Sequence, residues 1–599
     1  MKIKPLLYII FLCTAGIYAQ RQAILKTPED IAGYQKVPQE KMFIHYNTTL
    51  LFAGEYLYYR LYCFNGESNL LSEISKIAYV ELIDEKKKVV FKQKVKLENG
   101  LGQGDFFIPV SVPSGNYKLM GYTQWMLNAQ KDNFFLGDIS ILNPYQGDQK
   151  VFLVDNDLNN SQLNSINSSV NKKQSKSTIS AQKSNGRIEL RIDKQVFQKR
   201  SPVTLTLNQS GFTSEPGNYS ISVRKKNAFK TAQPVTADSF SSLSTKNFKS
   251  QEKSISSSFF LPEMRGELIY GKLVPKEPDF MVSSIDIAVS VPGKIHDVKI
   301  ASTNEQGVFV FNLDKTYKTD NIVLQVLGES RNNYKIELDE APQFNFPDFN
   351  FYQFKITQEF KDEIIERSVY NQVENNFFSV KPDTIPEVKD DVSFYGTDRV
   401  VYNLDDYTRF PTVKETIVEV VDNVWIEKNE LGESHFAVRG YYPTQSNNNL
   451  STLLIVDGIV EQEHEQWIDY DARKIKNISF VRDRYFLGSK VFEGVLVFET
   501  FEGNYVENLH KDYLLNTTLS RPQSYKNYYT QQYSPSNNVY NRIPDFRNQL
   551  LWKPNVLIHN ETVNIPFFTS DVNGVYEIVL EGFTNNGIPV SVKKYFEVR

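Results

Sequence analysis

A chain of 599 residues with 41% hydrophobic and 13% aromatic side chains, among them 34 Tyr and 41 Phe, carries apolar material for several cores, and at about 100–200 residues per domain it divides into roughly three to six. A single compact domain and a disordered chain are both excluded. Lys plus Arg number 67 and Asp plus Glu 71, so no strong field points to nucleic acid or to an acidic lipid surface.

In chain order the first element is an export signal. Lys2 and Lys4 precede an apolar run from Leu6 to Leu12, and small residues lead to Ala19-Gln20, the layout of a cleavable secretory peptide over residues 1–19. The run is shorter than the ~20 apolar residues of a membrane anchor. Cys13 follows Ile10-Phe11-Leu12 directly, where a lipoprotein signal would need a short small-residue motif before the Cys, which argues against lipidation, and no later stretch reads as a membrane helix. With Cys13 removed, Cys63 is the one remaining thiol, so no intramolecular disulfide is expected despite the oxidising destination. The stretch Leu57 to Phe64 is apolar and alternating, and Cys63 within it reads as a small buried hydrophobe.

Strand-type alternation dominates the chain beyond the signal, as in Arg187 to Ile192 and Val203 to Leu207. The fold class is therefore mostly β. A Gly turn feeding a Tyr-bearing strand recurs at Pro113-Ser114-Gly115-Asn116-Tyr117, Glu215-Pro216-Gly217-Asn218-Tyr219 and Asn573-Gly574-Val575-Tyr576, with Gln306-Gly307-Val308-Phe309 a looser copy. The first two copies stand one β-sandwich length apart, and the pattern suits a corner where a Tyr hydroxyl ties a strand to nearby backbone. Polar segments separate the units: 151–186 is a linker of Asn, Ser, Gln and Lys, and Val235 to Ser258 reads as a Ser- and Lys-rich linker or long loop. Residues 342–404 form a connector with a short helix near Gln358 to Phe378, and 506–543 a Tyr- and Asn-rich connector.

Residues 40–150 hold, in order, Lys41 to Tyr46, Ala53 to Arg60 with a Gly54-Glu55 turn, Ala78 to Asp84, and Val112 to Tyr117. This series resembles the macroglobulin-like β-sandwich of the alpha-2-macroglobulin family, and 187–258 looks like a second, divergent macroglobulin-like sandwich with a Ser-rich loop. Residues 259–341, with Gly266 to Lys272 and Ala301 to Phe311, look like the small sandwich called carboxypeptidase-regulatory-like. Asn304 stands where that family usually has Asp, which keeps the turn chemistry; the resemblance implies no peptidase activity.

Residues 405–505 are similar to the plug domain of TonB-dependent outer-membrane receptors. Asp405 to Tyr407 and Val413 to Trp425 match the opening helix and first strand, Phe436 to Gly440 the Arg-Gly strand, and Leu453 to Gly458 an apolar strand ending in Asp-Gly. Ile475 to Val481, Tyr485 to Gly488 and Gly494 to Thr500 match the close. Only 94 residues follow Tyr505, too few for a barrel of membrane strands of about 9–11 residues each, so the plug fold is expected to serve as a soluble module. Residues 544–599, with Leu551 to Pro554, Val563 to Asp571 and Tyr576 to Gly582, resemble a C-terminal macroglobulin-like segment. The Cys-Gly-Glu-Gln thioester of some family members is missing, so covalent protease trapping is not expected.

The expected architecture is thus tandem macroglobulin- or immunoglobulin-like β-sandwiches plus one α+β plug-like domain. Chemistry is sparse. His464 sits in the charged run Glu461 to Glu465 without a second His at ligand spacing and reads as a solvated loop residue; His45 and His435 lie in alternating strands and read as structural. Asp155-x-Asp157-x-Asn159 begins like a calcium loop but has Asn160 in place of the Gly and Ile166 in place of the bidentate Glu. No nucleophile elbow, phosphate loop or His-Glu-x-x-His helix occurs, and no catalytic, cofactor-binding or metal-ligating residue is assigned. The reading is a non-enzymatic scaffold exported to the periplasm or outer membrane of a Gram-negative bacterium. It is expected to bind outer-membrane or envelope proteins and no nucleic acid, with no transmembrane segment in the mature chain. The alternative is a carbohydrate- or peptide-binding accessory of an outer-membrane nutrient-uptake system, with exposed aromatics from Tyr525 to Tyr540 as a stacking platform.

Overall fold

The computed structural model describes residues 33–34, 36–129, 133–147, 149, 152–153, 188–209, 215–247, 259–293, 295–339, 349–386, 392–428, 432–441, 450–533, 542–559 and 562–599. The export signal at 1–19, nearly all of the 151–186 linker with Asp155 and Asp157, and Tyr540 lie outside them. The described chain is mostly β. Its strands are, in order, β1 (Glu40–Tyr46), β2 (Leu50–Phe52), β3 (Tyr56–Asn65), β4 (Ile77–Asp84), β5 (Val89–Lys96), β6 (Leu101–Phe107), β7 (Gly115–Tyr122), β8 (Phe135–Leu142), β9 (Ile188–Ile192), β10 (Val196–Phe197), β11 (Pro202–Gln209) and β12 (Gly217–Lys225). Next come β13 (Glu267–Pro275), β14 (Asp286–Val291), β15 (Asp297–Ser302), β16 (Val308–Leu313), β17 (Asn321–Val326), β18 (Tyr334–Leu338), β19 (Val400–Asn403), β20 (Val424–Lys428), β21 (Ser434–Val438), β22 (Leu453–Val456), β23 (Ile459–Glu461), β24 (Ile475–Leu487), β25 (Lys490–Thr500) and β26 (Leu514–Thr518). The last are β27 (Gln549–Ile558), β28 (Val563–Phe568), β29 (Gly574–Thr584) and β30 (Pro589–Val598).

One compact unit comprises Ile31–Glu267, Phe344–Val388 and Ser520–Arg599. Two sandwiches with the same wiring make up most of it. In one, β2-β8-β7-β4-β5 share a core with β1-β3-β6; in the other, β10-β30-β29-β12-β27 share a core with β28-β11-β9. Strand for strand the orders coincide, down to the parallel pairing of β2 with β8 and of β10 with β30. The sandwich expected at 187–258 and the separate segment expected at 544–599 are therefore two halves of one domain. The inward side chains Tyr219, Ile221 and Val223 of β12 pack in its core, and β12 pairs with β27 on one side and β29 on the other. Taken alone, the first half would leave both edges of that strand bare.

The Gly-x-Tyr repeat marks this equivalence at two of its places. Tyr117 on β7 donates its hydroxyl to the Pro113 carbonyl at 2.6 Å, and Tyr576 on β29, the counterpart strand, donates to the Val572 carbonyl at 2.9 Å. Tyr219 lies on β12, the counterpart of β4, so that copy is a likeness of sequence without equivalence of place. Tyr117→Phe and Tyr576→Phe are each expected to cost about 1 kcal/mol, read as a lower urea midpoint of this unit's transition at unchanged slope. The Ser-rich stretch read as a linker or loop also differs: it forms the helix Ala237–Asn247, with Ser239 N donating to the Thr236 hydroxyl as an N-cap at 3.1 Å, and Ala237 and Phe240 packed on the first sandwich. Cap and apolar face override a polar composition.

The other unit comprises Leu268–Gln343 and Lys389–Leu519 among the described segments. Here β16-β13-β18 and β15-β14-β17-β26 enclose a core that includes Val289, Phe309, Phe311 and Leu324. The strand β26, read as connector, is an edge of this sandwich, with Leu515 opposite Leu324. The Asn304 turn forms as its chemistry requires: its side-chain oxygen accepts from Gln306 N at 3.0 Å and Val308 N at 2.8 Å. The sheet β19-β24-β25-β22-β23 is α+β in layout. One face packs on the helix Val413–Glu419 and Trp467, and the other, through Ile455, Val495 and Val497, packs on Ala288, Val298 and Ile300 of the sandwich. Asp457 and Gly458 turn β22 into β23 with φ of 48° and 86°, the two-residue hairpin geometry.

Candidate functional site

The densest polar chemistry of the first unit lies where β3 begins, β12 ends and β27 starts. Gly54, at φ 91°, turns the chain so that Glu55 enters the interior. The Glu55 carboxylate accepts from Arg367 Nε at 2.8 Å and Nη2 at 2.8 Å, from Arg224 Nη2 at 2.7 Å, and from Phe52 N at 3.2 Å and Asn371 Nδ2 at 3.3 Å. Arg224 is the penultimate residue of β12, and Arg367 belongs to the helix Lys361–Asn376, so one carboxylate ties together three distant segments. Burial acts to raise the Glu55 pKa, but the two guanidiniums outweigh it and hold it down to about 2. Sequence reasoning shows Glu55 only as a turn residue, because its partners stand 169 and 312 positions away.

Beside this cluster opens a cleft of about 150 Å³ walled by Tyr56, Tyr58, Phe378, Tyr528, Phe546 and Trp552. Tyr58 stacks on Trp552 with centroids 6.0 Å apart and meets Tyr528 edge-on at 5.1 Å. Arg224, Asn548 and Trp552 line the cleft, and Arg224 Nε, Asn548 Nδ2 and Trp552 Nε1 are buried without an acceptor among the described residues. The neighbouring acids are already engaged. Glu374 accepts from Lys381 Nζ and Phe546 N, both at 2.6 Å; Asp383 accepts from Tyr529 N at 2.8 Å and pairs with Lys526 at 3.3 Å. Asp545 holds Arg547 through two bonds of 2.6 Å. His45 lies behind Trp552, with rings 5.2 Å apart and its Nδ1 2.6 Å from Ser220 Oγ; burial lowers its pKa to about 3 and keeps the imidazole neutral.

The expected aromatic platform is not exposed where it is described. Tyr525, Tyr528, Tyr529 and Tyr533 are half-buried; Tyr528 donates to Asp105 Oδ2 at 3.1 Å and Tyr533 to Asp545 Oδ2 at 2.6 Å. The same segment runs along the edge of β5, where Lys96 N donates to Gln523 O at 2.9 Å and Gln523 N to Lys94 O at 2.7 Å. Buried carboxylates and a bare strand edge draw it inward. His464, read as solvated, is largely buried: its Nδ1 accepts from Phe436 N at 3.2 Å, and burial lowers its pKa to about 4. Cys63 is fully buried. Among the described residues no three His, Cys, Asp or Glu groups meet at metal-binding distance, and no helix is long and apolar enough to cross a membrane.

A second feature belongs to the other unit, where β20 and β21 form a two-stranded ribbon. Arg439 N donates to Asn423 O at 2.8 Å, which sets the alternation of the ladder. On the outer rim of β21, Phe436 N reaches His464 and Val438 N reaches Thr452 Oγ1 at 3.2 Å. The opposite rim carries the outward N–H and C=O groups of Val424 and Ile426, which meet no partner among the described residues. Trp425 and Val418, 38% and 72% exposed, line a groove of about 870 Å³ with Lys414, Ile426 and Arg439.

No protein-family model and no curated protein matches the chain. Among solved structures it is similar to Escherichia coli alpha-2-macroglobulin activated by porcine elastase, at 8% identity and a TM-score of 0.23, covering 94% of this chain and 44% of that one. It is similar also to Salmonella alpha-2-macroglobulin reacted with methylamine, at 8% identity and a TM-score of 0.23, covering 94% and 40%. The Escherichia coli adhesin FdeC matches at 10% identity and a TM-score of 0.14, covering 48% and 59%. The chain spans less than half the length of either alpha-2-macroglobulin chain.

Proposed function

We propose that the chain is an exported, non-enzymatic protein of a Gram-negative envelope, working in the periplasm or at the outer membrane as an interaction scaffold with macroglobulin-like sandwiches and a plug-like domain at 405–505. The observation that carries this reading is the open rim of β20. A row of unpaired main-chain groups beside exposed Val418 and Trp425 suits strand addition, in which main-chain bonds supply affinity and the groove reads alternate side chains of the added strand. The occupant is an extended segment of an outer-membrane or envelope protein.

Crosslinking pull-downs from envelope extracts, run with the wild-type chain and with Ile426→Pro, test this. Proline at 426 removes one outward N–H and spares the bonds between β20 and β21, in which that N–H takes no part. The expected result is capture of an outer-membrane protein that falls by about tenfold in the variant, equivalent to about 1.4 kcal/mol, while circular dichroism shows the fold retained despite the lost packing of Ile426. Capture of no envelope protein, or equal capture by both chains, overturns the reading.

A further inference from the structure

Beyond the scaffold reading, and independent of it, we propose that the aromatic cleft beside Glu55 binds a carboxylate carried on an apolar or aromatic group, as in a peptide C-terminus or a small aromatic acid. The argument starts from an imbalance of donors. Arg224, Asn548 and Trp552 line one cleft, and the buried Arg224 Nε, Asn548 Nδ2 and Trp552 Nε1 have no acceptor among the described residues, while Arg224 and Trp552 are only 7% and 4% exposed. Each buried donor left unmet costs about 1–3 kcal/mol, so a ligand that supplies acceptors recovers that cost on binding.

The ion pairs around the cleft are closed among themselves. The carboxylates are Glu55, Glu374, Asp383, Asp545 and Asp105, and the cations paired with them are Arg224, Arg367, Lys381, Lys526 and Arg547. An added carboxylate is therefore drawn by the unmet donors, of which the one on the Arg224 guanidinium favours a charged acceptor. The walls then select among anions. Tyr56, Tyr58, Phe378, Phe546 and Trp552 offer ring faces and edges, which favour a carboxylate attached to an apolar body over a compact, strongly hydrated ion. A sugar fits less well, because each hydroxyl brings a donor into a site whose carboxylates are already engaged.

Calorimetric titration of the full chain tests this with N-acetylphenylalanine, its C-terminal amide, and phenylacetate. Both acids are expected to bind, and the amide to bind at least about tenfold more weakly than N-acetylphenylalanine. Tighter binding of N-acetylphenylalanine than of phenylacetate assigns the site to a chain end; the reverse order assigns it to a small acid. Trp552→Phe keeps the ring and removes one donor, and is expected to weaken binding by about fivefold to tenfold. Asn548→Asp, which sets a like charge beside the carboxylate, is expected to abolish it. Equal binding of acid and amide, no binding up to about 10 mM, or unchanged binding by Asn548→Asp overturns the proposal, and the acid–amide comparison holds even where a variant fails to fold.

Discussion

Glu55→Ala lowers the stability of the unit that contains it by about 3–5 kcal/mol, the expected cost of leaving buried guanidiniums without their counter-ion. The Arg224 and Arg367 side chains are each 9% exposed and that of Glu55 6%, so both guanidiniums are left largely desolvated when the carboxylate is removed. What remains for Arg367 is Asn227 Oδ1 at 2.8 Å, the Leu50 carbonyl at 3.2 Å and the Phe52 ring at 4.1 Å; Arg224 keeps only a long contact of 3.4 Å to Gln549. Arg224 is therefore the group left worst off, and amide exchange should rise first in β12 and β27. Replacing all three members by apolar residues of similar volume is expected to restore much of the loss, since the ions then no longer need desolvation. Urea unfolding of the single and triple variants measures both effects, and a single variant as stable as wild type contradicts the assignment. Because the Glu55 pKa lies below its ordinary value, this contribution is present above about pH 4.5 and is lost as pH falls toward 2.

The second large effect separates the two units by pH. Burial lowers His296 and His464 to about 4 from an ordinary 6.5, so below 6.5 the unfolded chain takes up protons that the folded unit refuses. The stability these residues confer is full above 6.5 and is lost as pH falls toward 4, by several kcal/mol for the pair. Glu461, raised by burial, opposes them with one proton against two. In the unit of paired sandwiches, His45 behaves as they do, lowered to about 3, but Glu581 is raised to about 8 by burial despite its bonds to Ser591 and Ala237 N. A raised carboxyl contributes most below its ordinary pKa of 4.5 and loses that contribution as pH rises to 8. Between about pH 4.5 and 6.5 the two cancel. Calorimetry between pH 6.5 and 4.5 should therefore show one transition falling with acid while the other stays level. Glu581→Gln is expected to make the level one fall too, by roughly 3 kcal/mol on reaching pH 4.5. Two transitions that move together in the wild type would contradict this.

How much of this was legible in the sequence depends on the range of each signal. Alternation is local, so Lys41 to Tyr46, Tyr56 to Arg60 and Ala78 to Asp84 become strands as their pattern demands. The pairing of β12 with β27 is not local, and Gly217-Asn218-Tyr219 misdirects it by imitating a corner that is built at Tyr117 and Tyr576. The site was hidden for a different reason. In the helix Lys361–Asn376, Arg367 and Asn371 are 8% and 6% exposed while Ile365 and Val369 are 51% and 48% exposed. Apolar-in reading of such a helix turns it the wrong way round, because its buried face is dictated by the Glu55 carboxylate rather than by oil. Tyr528 declares its aromaticity in sequence but not its inward place, since nothing near it along the chain announces Asp105.

The division of the second sandwich also fixes an order of events in biosynthesis. Four strands, Ile188–Ile192 to Gly217–Lys225, leave the ribosome more than three hundred residues ahead of the four that complete them. At about 5–20 residues per second the early half waits for tens of seconds with its apolar face uncovered, while the intervening unit has all its own strands and can fold. Closure of the sandwich then certifies that the intervening stretch has been made in full, and a chain truncated anywhere between Lys225 and Gln549 forfeits the domain as a whole, leaving a bare sheet edge for quality-control proteases to recognise.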